Sequence, residues 1–394
     1  MNNYDAVIVG GGPIGGQTAR LIAEKNYKTA IFERRKEIGT PINCAGLITP
    51  RVFEKFKISN KPIQNKIKGA HIHSPNNSTL TIGGNKTHAL AINRELFDKE
   101  IIEKSIDNGA ELYKKNIVLS AQRNNDKIEL KTSKNIEVST KILIGADGPH
   151  SKIRDIFFQQ EPKEYLKGIG AEITNISIEP DYVHVIVGKN LAPGFFAWII
   201  PINNKGTEAR IGLCIDKKQK ESPKKYLEKL ISNSNFKEIL KDVKINNYYG
   251  GIIPIGPIKK TYDSNMLLVG DAAAQVKPTS GGGIYPGMIG AKHAAETTID
   301  ALEKNDFSNQ FLKRYQINWL KEFGNEINKG MRYRIIFKNL SDKRLDNYIK
   351  KFNNPKIIDI INKYGDIDYP SKLTKPLIKK LPLLLKLIPN IIKE

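Results

Sequence analysis

Four short stretches of this chain carry side chains and spacings suited to chemistry. The first is Gly10-Gly11-Gly12-Pro13-Ile14-Gly15, followed by Glu33 at the end of the next apolar run. Glycines at positions one, three and six of such a run allow a tight turn, a close approach of backbone to a pyrophosphate, and close packing of helix on strand. The helix that follows offers free N–H groups and its positive dipole end to the phosphates. Glu33, with Arg34 beside it, is placed to accept hydrogen bonds from ribose hydroxyls. Two further glycine–aspartate pairs, Asp147-Gly148 and Gly270-Asp271, each follow an apolar run. The fourth stretch is Cys44-Ala45-Gly46, with one of only two cysteines in the chain.

These residues need elements to hold them. Tyr4–Val9 reads as a short buried strand and Gln17–Lys25 as a helix packed on a sheet. Lys28–Glu33 is a second strand, so the N-terminal unit is a βαβ crossover. Lys141–Ile144 and Asn265–Val269 predict further strands that run into glycine loops. Between about 165 and 260 the pattern changes to period two, in Glu172–Thr174, Val183–Val187 and Ala209–Cys214, as expected of antiparallel strands. From about 294 the chain turns helical and lysine-rich.

The expected fold class is α/β: a Rossmann-type nucleotide-binding domain with an inserted antiparallel β-sheet substrate domain and a helical C-terminal region. The nucleotide domain is expected over 1–70, 90–164 and 262–325, the inserted sheet over 71–89 and 165–261, and the helical region over 326–394.

Composition sets outer limits. At 394 residues more than one packed unit is expected, and no apolar run reaches the roughly 18 residues of a membrane span. The N-terminus lacks the basic and apolar regions of a signal peptide, and Cys44 and Cys214 alone make no disulfide framework; both point to a cytoplasmic protein. With 63 Lys and Arg against 41 Asp and Glu, the formal charge is +22. Such a charge attracts anions. Because the lysines are spread along the whole chain, it equally describes a general surface bias, and nucleic acid is not an expected partner. His71 and His73 share one strand face, a spacing compatible with a metal, but no further ligand cluster accompanies them and no metal is expected. The stretch 376–393 is apolar, interspersed with lysines and cut by prolines, so it suits an interface rather than a span.

The first glycine motif serves NAD and FAD alike, and other residues decide between them. Ile144–Arg154 and Met266–Ala273 resemble the D-G and G-D segments of the para-hydroxybenzoate hydroxylase-like flavoproteins, and Arg94-Glu95-Leu96-Phe97-Asp98 matches their R-x-x-F-D. The resemblance implies FAD, with Asp271 at the ribityl chain, Asp147, Gly148 and Arg94 near the flavin, and Gly282-Gly283-Ile284 facing the N1–C2=O edge of its ring.

Pro193–Pro201 further resembles the P-x-x-Y-x-W-x-F-P signature of the geranylgeranyl reductase family, with Phe196 for the Tyr and Ile200 for the Phe. Gly39–Leu47, Gly251–Pro254 and Asn339–Asp342 are also similar to that family. The implied activity is FAD-dependent reduction of isoprenoid C=C bonds, saturating the geranylgeranyl chains of archaeal-type membrane lipid precursors. Phe196, Trp198, Ile200 and Pro201 would then line an isoprenoid tunnel, although the same pattern also describes sheet core. Cys44 is the candidate catalytic residue; a lone cysteine is otherwise a small apolar filler. A ferredoxin or NAD(P)H would supply electrons, and the lipid substrate implies peripheral contact with the membrane. The rival reading is an NAD(P)H-dependent flavin monooxygenase acting on a small aromatic or apolar substrate.

Overall fold

The computed structural model describes residues 1–380. Of the apolar stretch 376–393, the first residues close the helix Thr374–Lys380 and the remainder lies outside the described residues.

Ala6, Val7, Ile8 and Val9 form an unbroken apolar run that suits burial on both faces, and the strand Asn2–Val9 sits at the centre of a parallel sheet. Glu137–Gly145 and Thr29–Phe32 flank it in parallel, followed outward by Met266–Leu268 on one side and Glu111–Tyr113 on the other. Val9 pairs with both Gly145 and Phe32, and Gly145 with Leu268. That register brings Gly10, Glu33, Ala146 and Val269, which follow these four residues, to one edge of the sheet. Carboxyl-end edges of open parallel sheets are where ligands bind. The helices Pro13–Ala23, Arg94–Asp107 and Ile284–Lys304 cover one face. The last of these starts ten residues before the change of pattern near 294, because Gly287, Gly290 and Ala291 hide its first turns from a periodicity reading.

A second sheet has seven strands in the order Lys244–Ile255, Glu164–Thr174, Glu208–Asp216, Phe196–Pro201, Tyr182–Val187, Gly69–His73, Thr79–Gly83. It is antiparallel except where Tyr182–Val187 runs parallel to Gly69–His73. Alternation divides its faces. Ile169, Ala171, Ile173, Ile211 and Leu213 pack under the short helices Pro223–Ile231 and Lys237–Leu240. The intervening residues Gly168, Gly170, Glu172, Arg210, Gly212 and Cys214 face the opposite way. A third sheet, of Leu47–Ile48, Ala89–Ile92 and Ile63–Ile67, stands between the larger two and carries the chain from Cys44 onward. The strand Ala89–Ile92 spans the expected boundary at 89/90, so neither side of that boundary owns it. Arg334, on a C-terminal helix, reaches into the second sheet to Glu164 at 2.9 Å and the Gly194 carbonyl at 3.1 Å.

His71 and His73 acquire a third neighbour that their spacing does not reveal. His184, opposite His71 in the parallel register, stacks on His73, with the His73 Nε2–His184 Nδ1 distance 2.9 Å. The two rings share a hydrogen bond, and no group of three metal-ligating side chains is found among the described residues. Burial lowers the pKa of His73 to about 4 and of His184 to about 3. In the unfolded chain both titrate near about 6.5. Stability from keeping them neutral is therefore complete above about pH 6.5 and is lost as pH falls toward the folded values, by at most ~1.4 kcal/mol per pH unit for each ring. Thermal unfolding should show Tm falling steeply between pH 6.5 and 4.5, and the double substitution His73→Leu/His184→Leu should flatten that fall. An equally steep decline in the double variant would assign it to other groups.

Candidate functional site

The glycine turn leaves the central strand with Gly10 at φ +113°, a conformation open to glycine. A Cβ at Gly10 would lie 2.3 Å from the Ala146 carbonyl oxygen, and one at Gly15 would lie 2.0 Å from that of Gly10. The turn is thus wedged against the neighbouring strand's exit. Gly12 differs: a Cβ there would meet nothing within 4 Å, so space stands open at the start of the helix Pro13–Ala23. That helix begins with Pro13 and has no side-chain cap, which leaves its first N–H groups free for a ligand. Glu33 Oε2 accepts the Gly11 N–H at 2.6 Å and its Oε1 the Arg35 N–H at 2.7 Å, which fixes the carboxylate at the strand end. Ile14 packs against Gly270 and Gly287, whereas Arg34 is exposed.

Asp147 and Asp271, both expected at the cofactor, differ in their surroundings. Asp147 accepts hydrogen bonds from Ser151 Oγ and from the Ile153 N–H, so its carboxylate already holds the first turn of the helix Lys152–Phe157. What that segment presents to open space is Gly148. Asp271 accepts no side-chain hydrogen bond among the described residues. Burial pushes its carboxyl up to about 6, eased by the charge of Arg94. Gly283, at the start of the helix Ile284–Lys304, would place a Cβ 2.9 Å from Asp271 Oδ1. The open space at Gly12, the free helix N-terminus, Glu33 and the unpartnered Asp271 fit FAD, with acceptors for the hydroxyls of ribose and ribityl chain and donors for phosphate.

Three buried side chains hold this cradle, of which Gln275 and Tyr315 lie outside the motifs and Arg154 closes the 144–154 segment. Gln275 accepts the Gly270 N–H at 2.8 Å and donates to Tyr315, whose hydroxyl returns to the Leu268 carbonyl at 2.6 Å. Arg154 spans the Pro149 and Ala272 carbonyls and joins the two glycine–aspartate loops.

Opposite the cradle, Arg94 grips Asp98 bidentately at 3.0 Å. Burial opposes its charge, but Asp98 and then Cys44 hold the guanidinium above its ordinary range. Cys44 Sγ accepts the Gly46 N–H at 3.4 Å. The loop it sits on is clamped from the second sheet by Arg210, which is 1% exposed. Arg210 donates to the carbonyls of Ala45 (3.1 Å) and Ile92 (2.8 Å), to Gln64 Oε1 (2.8 Å) and to Glu172 (3.0 Å). A Cβ at Gly46 would lie 2.6 Å from this guanidinium, so glycine is what lets the loop close over it. Cys214 is core, its thiol pushed up to about 12 by burial.

The sheet face near Cys44 is paved with glycine. Gly170 pairs with Gly212, and Gly168 with Gly251. The Tyr249 ring lies over Gly170 and the Trp198 ring over Gly212, each occupying the volume a side chain would take. Tyr249 Oη and Trp198 Nε1 are both buried, and their nearest polar interaction is with each other. Phe196 stacks on Phe195, with centroids 4.4 Å apart, while Phe195 and Ile253 touch the glycine loop at Gly281. Ile200 shares the face of Trp198 and packs with it, Ala45 and Leu47 as sheet core, whereas Pro201, which pairs with Ala209, is buried on the opposite face. A cleft of about 470 Å³ runs between Pro41–Asn43 and the Gly250-Gly251 edge, lined also by Gly168 and Tyr249.

A dinucleotide cradle at one sheet edge, faced by a second sheet, defines an FAD-dependent oxidoreductase. Residues 3–318 match the FAD binding domain family. The digeranylgeranylglycerophospholipid reductase of Methanocaldococcus jannaschii is 32% identical over 97% of both chains, and that of Methanococcus vannielii 30% identical over 99% of this chain and 98% of the other. A crystal structure of a geranylgeranyl bacteriochlorophyll reductase-like protein from Thermoplasma acidophilum superposes with a TM-score of 0.85 at 24% identity, covering 100% of both chains. The chain belongs to the FAD binding domain family and shares a full-length family with these archaeal reductases.

Gly12→Ala should fold normally, because nothing within 4 Å opposes it, yet bind FAD about ten-fold more weakly by filling the space before the helix. Flavin absorbance after dialysis, set beside an unchanged Tm, measures this; undiminished flavin would place the phosphates elsewhere. Arg210→Met should cost about 3 kcal/mol of unfolding free energy, as expected on breaking a buried pair, and should expose Cys44 to faster alkylation. Peptide mapping of the alkylated thiol separates it from buried Cys214.

Proposed function

We propose that this protein reduces the C=C bonds of geranylgeranyl chains on archaeal-type glycerophospholipid precursors. The observation that carries the reading is the full-length match to digeranylgeranylglycerophospholipid reductases, at 32% and 30% identity. The site's chemistry supports it. An isolated alkene offers nothing for hydrogen bonds to grip, so its binding surface must be apolar and shaped, and a glycine-paved face bounded by Trp198, Phe196 and Tyr249 supplies that beside the cradle. The 470 Å³ cleft at Pro41–Asn43 gives a long chain an entry next to Cys44.

Reduced FAD, when bound, supplies the hydride. Gly10, Gly12, Pro13, Ile14 and Gly15 would hold its pyrophosphate, Glu33 the adenosine ribose and Asp271 the ribityl chain. Gly148, Gly270, Gly282, Gly283 and Ile284 would frame it through backbone. The protein keeps water from the alkene and delivers a proton to the carbon that does not receive hydride. Cys44 is the candidate for that face. Arg94 holds a fixed positive charge beside it, while Arg210 fixes the loop's position. Each double bond takes up two electrons and two protons in all, so a separate reductant must recharge the cofactor. The basic surface suits an acidic ferredoxin; NAD(P)H is the other source. No helix among the described residues is long and apolar enough to cross a membrane, so contact with lipid would be peripheral.

The test is mass spectrometry of digeranylgeranylglyceryl phospholipid after anaerobic incubation with the dithionite-reduced protein. The expected products gain two hydrogens per double bond reduced. Cys44→Ala should retain FAD and lose at least about ten-fold in rate, equivalent to ~1.4 kcal/mol of barrier. Unchanged lipid, together with hydroxylation of an aromatic substrate under air with NADPH, would instead assign the protein to the monooxygenases.

A further inference from the structure

Behind the glycine loop lies a buried ion pair that neither the cradle nor the alkene face uses. Lys277 Nζ is 2.8 Å from Asp368 Oδ1, with the two side chains 10% and 1% exposed. Asp368 also accepts from Thr49 Oγ1 at 2.6 Å and from Arg51 at 2.8 Å, and Arg51 continues to Asp366 at 2.9 Å. Arg51 and Lys372 hold Asp366 down at about 2 against the opposing effect of burial. The two acids lie beyond residue 318, where the match to the FAD binding domain ends, so the C-terminal region reaches back to the flavin loop.

The loop folds around the lysine. The Lys277 N–H donates to the Gly282 carbonyl at 3.2 Å, and the Lys277 carbonyl accepts from Gly281 at 2.9 Å. A Cβ at Gly282 would lie 2.9 Å from Lys277 Cε and 3.4 Å from its Nζ. The next residue, Gly283, stands against Asp271. The backbone of Gly282-Gly283 therefore separates the ammonium from the acid that faces the cofactor. A charge in that position is poorly screened by solvent, and two residues of backbone do not insulate it.

We propose that Lys277 and Asp368 are positioning residues that set the reduction potential of the bound flavin, the ammonium favouring the reduced anionic form and the carboxylate moderating it. The inference rests on the placement of the glycine loop against the flavin ring, and it is independent of which substrate is reduced. It would explain why a lysine costly to bury is kept under a loop of glycines and matched to an acid from another region.

The experiment is a dye-coupled reductive titration of the FAD-loaded full-length protein and of three variants. Lys277→Met should lower the midpoint potential and Asp368→Asn should raise it, each by about 30 mV, a ten-fold change in the two-electron equilibrium. Lys277→Arg should keep the parent value. Opposite signs are the signature, since a loop merely loosened by mutation moves both potentials the same way. Potentials that coincide in all four proteins, or shifts of one sign, would overturn the proposal. Prenyl reduction is not the readout, so a different substrate would leave this result standing.

Discussion

The register of four neighbouring parallel strands is the constraint on which the rest of the site depends. Because Val9 aligns with both Phe32 and Gly145, and Gly145 with Leu268, four chain exits meet at one edge. A slip by one residue would move whole sets of side chains between faces. The close approach of Gly10 to the Ala146 carbonyl is what this register demands, and a side chain there would separate the two exits. Strand alignment, helix dipole and carboxylate positions are thus one arrangement rather than three separate devices.

The second sheet is tied to that edge chiefly through arginine. Arg210 joins Glu172 on its own sheet to Ala45, Ile92 and Gln64 on the segments around Cys44. Arg334 does similar work between the C-terminal helices and Glu164. A planar group with five donors can satisfy several carbonyls and a carboxylate together, which a lysine cannot. The cost of burying a guanidinium is offset only if each partner is in place. These contacts therefore make the relative placement of the sheets specific, and an apolar interface of equal area would tolerate sliding.

Much of the cradle was legible in the sequence because its requirements are local. A glycine that must turn, a helix that must start and an acid that must end a strand leave marks within a few residues. Asp147 and Asp271 show the limit of that reading. Both follow a strand and both adjoin a glycine, yet Ser151 and Ile153 take up one carboxylate and nothing takes up the other. The difference lies in the chain four to six residues later. Pro201 shows another limit, since it pairs with Ala209 and alternation sets it on the face opposite Trp198 and Ile200. Arg210, His184 and Tyr249 were illegible for a stronger reason: their partners lie far away in sequence, and no short pattern encodes them.

The glycine pairs on the second sheet bear on why an alkene reductase would use a β-sheet here. Glycine inside a strand weakens it, and a cluster of such residues marks a place where something else must approach the backbone. Tyr249 and Trp198 fill part of that space, with the phenol oxygen and the indole N–H set beside each other, which eases the cost of burying both. The phenol and indole rings lie where side chains at Gly170 and Gly212 would stand, so the glycine pairs are what give this face room for two aromatic rings beside the loop that carries Cys44.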